Sequence, residues 1–168
     1  HIHGMPANDL SPLKGMALTH LSLEVTQISD LSALEGMKLV SVYLRSCPVE
    51  DIRVFRGMPL RSVDIHYTGS GPRINDLSPL EGMPLTRLGL SSVPIKTLDF
   101  VTNMPLNVLF LSGIPLTNFH FLRSLPLTDL SLDRMPPVDL SLLRGLPLKR
   151  LGISSMNVSE LSFLKGLP

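Results

Sequence analysis

The chain has 168 residues, 43% of them apolar and 17% charged, with Lys and Arg balanced against Asp and Glu to a net charge of +1. That is enough apolar content for one ordinary globular unit, and the charge balance gives no reason to expect nucleic acid or a strongly acidic partner. No apolar run approaches a membrane span and no charged start precedes a hydrophobic stretch, so the compartment, otherwise unfixed, tilts toward the cytoplasm.

Read from its first residue, the chain enters a repeat partway. Ile2 stands where later units place their last strand leucine, and Met5-Pro6-Ala7 matches Val93-Pro94-Ile95. Unit openings follow at Asp9, Asp30, Asp51, Asp76, Thr97, Asn118, Asp139 and Glu160, 21 residues apart except for one step of 25 between Asp51 and Asp76. A fixed period of this length means stacked units. The pattern stops partway again at Gly166-Leu167-Pro168, and neither end carries a polar cap. Residues 1–168 therefore read as a single array, an excerpt of a longer one or an array whose open ends pair between copies.

Each unit carries L-x-x-L-x-L, from Leu18-Thr-His-Leu21-Ser-Leu23 to Leu148-Lys-Arg-Leu151-Gly-Ile153. Its last two apolar residues lie two apart, so in an extended chain both face inward and their neighbours face out, which predicts a short half-buried strand. The unit then opens on Asp, Thr or Asn, whose side-chain oxygens accept from the free N–H groups of a following helical turn. Apolar residues at a spacing of three, such as Leu10, Leu13 and Met16 or Leu77, Leu80 and Met83, give one or two turns of α- or 3₁₀-helix a buried face. Gly15, Gly36, Gly57, Gly82, Asn103 and Gly145 suit the left-handed residue that ends such a turn; Ser124 is the exception. Prolines 59, 84, 105, 126 and 147 then push the chain back toward extended geometry.

These motifs resemble the leucine-rich repeat family across nearly the whole chain. Within it, Asp-Leu-Ser-Pro-Leu followed by the strand motif is similar to the bacterial internalin-type, SDS22-like class and to arrays beside serine/threonine kinase domains in planctomycete-like bacteria. The resemblance implies an α/β fold: a right-handed solenoid with a parallel concave sheet and short helical or 3₁₀ convex segments. One departure is plain. The column that in this family holds an asparagine ladder contains Met5, Thr26, Cys47, Thr68, Val93, Ile114, Met135 and Met156. The prolines of the next column, Pro6, Pro48, Pro94, Pro115 and Pro136, carry no N–H and offer a partial compensation.

Signatures of chemistry are sparse. Gly69-Ser-Gly-Pro72 lacks the Lys and Ser/Thr of a phosphate loop, and no nucleophile elbow, zincin or paired Cys-x-x-Cys motif occurs. His66 is three strands from His3, about 14 Å at 4.8 Å per strand, too far to share a metal. Asn157-Val-Ser159 matches a glycosylation acceptor, a pattern that chance supplies often. Cys47, in an inward column, reads as a buried thiol. No cofactor, metal or catalysis is expected.

What remains is the outward face of the sheet, in three columns headed by His20, Ser22 and Glu24. Tyr43, Arg45, Asp64, His66, Arg87, Val108, Phe110 and Asp129 are the candidate partner-binding residues, since aromatic and Arg side chains dominate binding hot spots. The extra residues near Thr68 add a rim where Tyr67 and Arg73 are candidate contacts. The expected function is a protein- or peptide-binding module; the alternatives are a sensor or scaffold region of a larger signalling protein such as a kinase, and a structural, self-associating spacer.

Overall fold

Each leucine motif becomes one strand. The computed structural model describes every residue except Ser70, Pro72, Ser159, Gly166 and Pro168. Two of the excepted residues belong to the insertion, one to the glycosylation pattern and two to the last partial unit, so those readings lie outside the described residues in part. The strands are β1 (Ile2–His3), β2 (His20–Glu24), β3 (Ser41–Arg45), β4 (Ser62–His66), β5 (Arg87–Ser91), β6 (Val108–Ser112), β7 (Asp129–Asp133) and β8 (Arg150–Gly152). They form one parallel sheet in chain order, each pairing with the next at the position fixed by the repeat, so that Leu21 meets Val42, Val42 meets Val63, and Val63 meets Leu88.

The inward residues of the strands, among them Leu23, Val63, Ile65, Leu88 and Leu109, are sealed from solvent. Burying a side chain of this size contributes about 1.5–3 kcal/mol, and stacking units makes that contribution continuous along the array. Opposite the sheet, every convex helical segment among the described residues is 3₁₀ rather than α. Most hold three residues, as in Ser78–Leu80, which seats Leu80 in the core. The opening residues act as read: Asp9, Asp30, Asp51, Asp76, Asn118 and Asp139 each accept the amide two residues on, at 2.7–2.9 Å. Thr97 makes no such bond. The residues chosen as helix stops are left-handed at Gly15, Gly36, Gly57, Gly82, Asn103 and Gly145. Ser124 is not left-handed, and there the turn runs on through His120–Ser124.

A second left-handed column went unread in the sequence. The residue after the strand has positive φ at Gly4, Val25, Ser46, Ser92, Gly113 and Arg134, as does Ser155 one period beyond Arg134. The bend leaves the amide pairing onward: Val25 donates to the Arg45 carbonyl at 2.8 Å and Ser92 to that of Ser112 at 2.8 Å. After β4 the pattern breaks. Tyr67 is not left-handed, so its ring turns into the core and Thr68, expected in the inward column, is exposed. This corrects the expectation that Tyr67 forms a rim lip: it is 7% exposed, donating to the Val49 carbonyl at 2.9 Å and accepting from the Ile74 amide at 3.1 Å.

Tyr67 thereby fills part of the role of the missing asparagine ladder. The remaining amides of that column are met piecemeal. Ile28 donates to Thr26 Oγ1 at 3.4 Å. Ile95 and Leu116 reach the carbonyl two residues back across Pro94 and Pro115, both at 2.9 Å, the hydrogen bond of an inverse γ-turn. Val49 is buried and its amide makes no hydrogen bond among the described residues, so the proline compensation fails in that turn. Cys47 lies 3% exposed, its thiol 3.4 Å from the Leu23 carbonyl and 3.3 Å from Thr26 Oγ1.

Candidate functional site: the open face of the sheet

Strand alternation puts three side-chain columns on the open face, and the register places them as the repeat dictates. The central column runs Ser22, Tyr43, Asp64, Gly89, Phe110, Ser131 and Gly152. Its middle is a connected cluster. Arg87 Nη2 lies 3.2 Å from Asp64 Oδ2, and the same guanidinium lies 4.7 Å from the centre of the Phe110 ring. A cation over an aromatic face is attracted by the ring quadrupole, here with both groups half-buried. Gly89 makes the arrangement possible: a Cβ there would stand 2.6–2.8 Å from the Asp64 carboxylate atoms, so only glycine lets that carboxylate lie over β5.

Other candidate residues are engaged within the sheet. Arg45 Nη1 donates to Glu24 Oε1 at 2.6 Å, and Glu24 Oε2 lies 3.1 Å from His3 Nδ1. Asp129 is buried, accepting from Arg150 and from Thr128 Oγ1 at 2.7 Å, so its part is to anchor Arg150 rather than to offer an open carboxylate. Val108 and Tyr43 are half-buried on the face. His66 is held below its ordinary 6.5, first by burial and then by the Arg45 charge, which leaves a neutral imidazole at pH 7.

At the rim, Arg73 Nη1 donates to the Ser92 carbonyl at 2.9 Å and Nη2 to the Gly69 carbonyl, with the guanidinium 5.8 Å from the Tyr67 ring. Arg73 thus staples the insertion to the following unit. Three features of the open face escaped the sequence reading. Gly89 carried a usable signal, a glycine within a strand. The unpartnered Ser91 hydroxyl and the position of Arg134 just beyond β7 carried none. Among the described residues no group of three or more His, Cys, Asp or Glu is arranged to hold a metal ion, and no helix is long and apolar enough to cross a membrane.

A parallel sheet of one strand per repeat, backed by lone 3₁₀ turns, defines a leucine-rich repeat solenoid. Two solved structures from Listeria monocytogenes strain 4b F2365 share this fold. Internalin C2 is similar with a TM-score of 0.72 and 23% identity over 88% of this chain and 66% of that one. The internalin inlF gives a TM-score of 0.54 and 23% identity over 95% of this chain and 61% of that one. The chain therefore spans a little under two thirds of either protein. No family model and no curated protein matches the sequence.

Proposed function

We propose that the chain is a protein- or peptide-binding module that engages its partner through the open face of the sheet and performs no catalysis of its own. The observation that carries this reading is the Asp64, Arg87 and Phe110 cluster, with Tyr43 in register beside Asp64 on the same face. These side chains stand half-exposed on a sheet whose stability resides in the leucines of its other face. Aromatic and guanidinium groups on a rigid platform bind with little loss of conformational entropy.

The test compares the chain with a Tyr43→Ala/Arg87→Glu/Phe110→Ala variant, shown by circular dichroism to stay folded, in affinity capture from native lysate. A partner held by the unmodified chain and lost by the variant supports the module. Equal capture by both removes the open face from the explanation. The ion pairs Glu24–Arg45, Asp64–Arg87 and Asp129–Arg150 favour a second reading, in which the face is internally neutralised and the array is a structural spacer. That reading predicts self-association unaffected by the triple substitution.

A further inference from the structure

Charge on the open face is largely matched within the sheet. Besides the three cross-strand pairs, Asp133 accepts from the Ser154 amide at 2.8 Å and from the Ser131 hydroxyl, which turns its carboxylate away from β6. Arg134 stands apart. Among the described residues its guanidinium meets no carboxylate; it lies over β6, where Nη2 and Nε are 3.0 and 3.3 Å from Ser112 Oγ. In register beside Ser112 is Ser91, whose residue is nine-tenths buried and whose hydroxyl has no hydrogen-bond partner among the described residues. His66 flanks Ser91 on the other side.

An unmet buried hydroxyl is a standing cost, and the exposed Arg134 guanidinium, meeting one neutral hydroxyl, presents further N–H donors to an incoming acceptor. Both are answered by one ligand type. We propose that Arg134, Ser91 and Ser112, with His66 at the margin, form a carboxylate-binding site on the open face that takes an acidic group of a peptide or protein partner. In the complex Arg134 exchanges the Ser112 hydroxyl for a carboxylate, the stronger and geometrically matched acceptor, and the two serine hydroxyls donate to the oxygens. The neutral imidazole of His66 adds a hydrogen-bonding group without adding charge. Phe110 precedes Ser112 by two residues on the same strand, about 7 Å away, so the fitting ligand carries an apolar group at roughly that distance from its carboxylate.

The inference rests on the open face being the binding surface, yet its test needs no partner protein. Sodium acetate is titrated into the full chain at constant ionic strength against chloride, following the arginine Nε–H resonance that disappears in Arg134→Gln. The expected result is a saturable shift that weakens at least tenfold in Ser91→Ala and is unchanged in Ser22→Ala. A linear shift, the same shift with chloride alone, or undiminished binding by Ser91→Ala would overturn the site. Two blocked probes identify the source of the carboxylate. Tighter binding than acetate by acetyl-Phe-Gly-Glu-amide assigns an acidic side chain; tighter binding by acetyl-Gly-Gly-Phe with a free terminus assigns a C-terminal carboxylate. Equal binding of the Glu probe and its Gln counterpart overturns the carboxylate chemistry. Loss of the acetate site with partner capture still dependent on Tyr43, Arg87 and Phe110 refutes this proposal alone. The converse refutes the module and leaves the anion site standing.

Discussion

Replacing Tyr67 by Phe removes one oxygen and tests whether that residue belongs to the core or to the rim. Its hydroxyl donates to Val49 and accepts from Ile74, and both partners are sealed from solvent. The ring volume is unchanged, so no cavity opens and the loss is confined to hydrogen bonds. An orphaned buried donor and an orphaned acceptor cost about 1–3 kcal/mol each, and a carbonyl tolerates the loss better than an amide, so the expected destabilisation is about 2–4 kcal/mol. For a chain of this length that lowers Tm by about 5–10 °C. Thermal and urea unfolding followed by circular dichroism measure it. A pH series adds a second signature. Burial, only partly countered by the Ile74 amide, raises the Tyr67 phenol above its ordinary 10.0. The unfolded chain then ionises first and binds fewer protons, so the stability held below pH 10 falls as pH rises beyond it; Tyr67→Phe should flatten that fall. A change in stability below about 0.5 kcal/mol, as at an ordinary surface position, would refute the buried assignment.

Gly89→Ala should push the Asp64 carboxylate off β5, open its pair with Arg87 and cost about 1 kcal/mol, a loss absent in an Asp64→Ala background; an equal loss in both backgrounds would mean general crowding. Val25 is a β-branched residue at φ +52° and more than half exposed, so Val25→Gly should stabilise the chain by about 0.5–1 kcal/mol, and Gly113→Val, at φ +60°, should do the reverse in the same unfolding assay. The carboxyls of Asp9, Asp51 and Asp139 are lowered first by side-chain hydrogen bonds from Ser11, Arg53 and Ser141, and that of Asp76 first by the Ser78 amide. The unfolded chain takes up protons before the folded one does, so stability is present above 3.8 and lost as pH falls below it. Asn at these four positions keeps the turn and should flatten the acid limb of the unfolding curve.

The repeat alone determined the strands, their register and the three open-face columns. A parallel array with one strand per unit leaves each residue only its counterpart one period away as a neighbour. The caps and most helix stops were equally legible, because Asp, Asn and Gly at those positions satisfy local needs of the backbone. Only the tertiary structure decided the insertion after β4. Four extra residues break the period, and the choice between Tyr67 and Thr68 as the inward residue falls to whichever side chain fills the core and meets the Val49 and Ile74 backbone groups. It likewise decided that Val25, Ser46, Ser92 and Arg134 bend left-handed, since continued pairing of their amides with the next unit holds a conformation their side chains disfavour. The partners of Asp64, Arg87 and Arg134 were decided there too. Which charged tips meet across neighbouring strands depends on side-chain reach and on the space Gly89 leaves open, and neither is encoded in the spacing of a repeat.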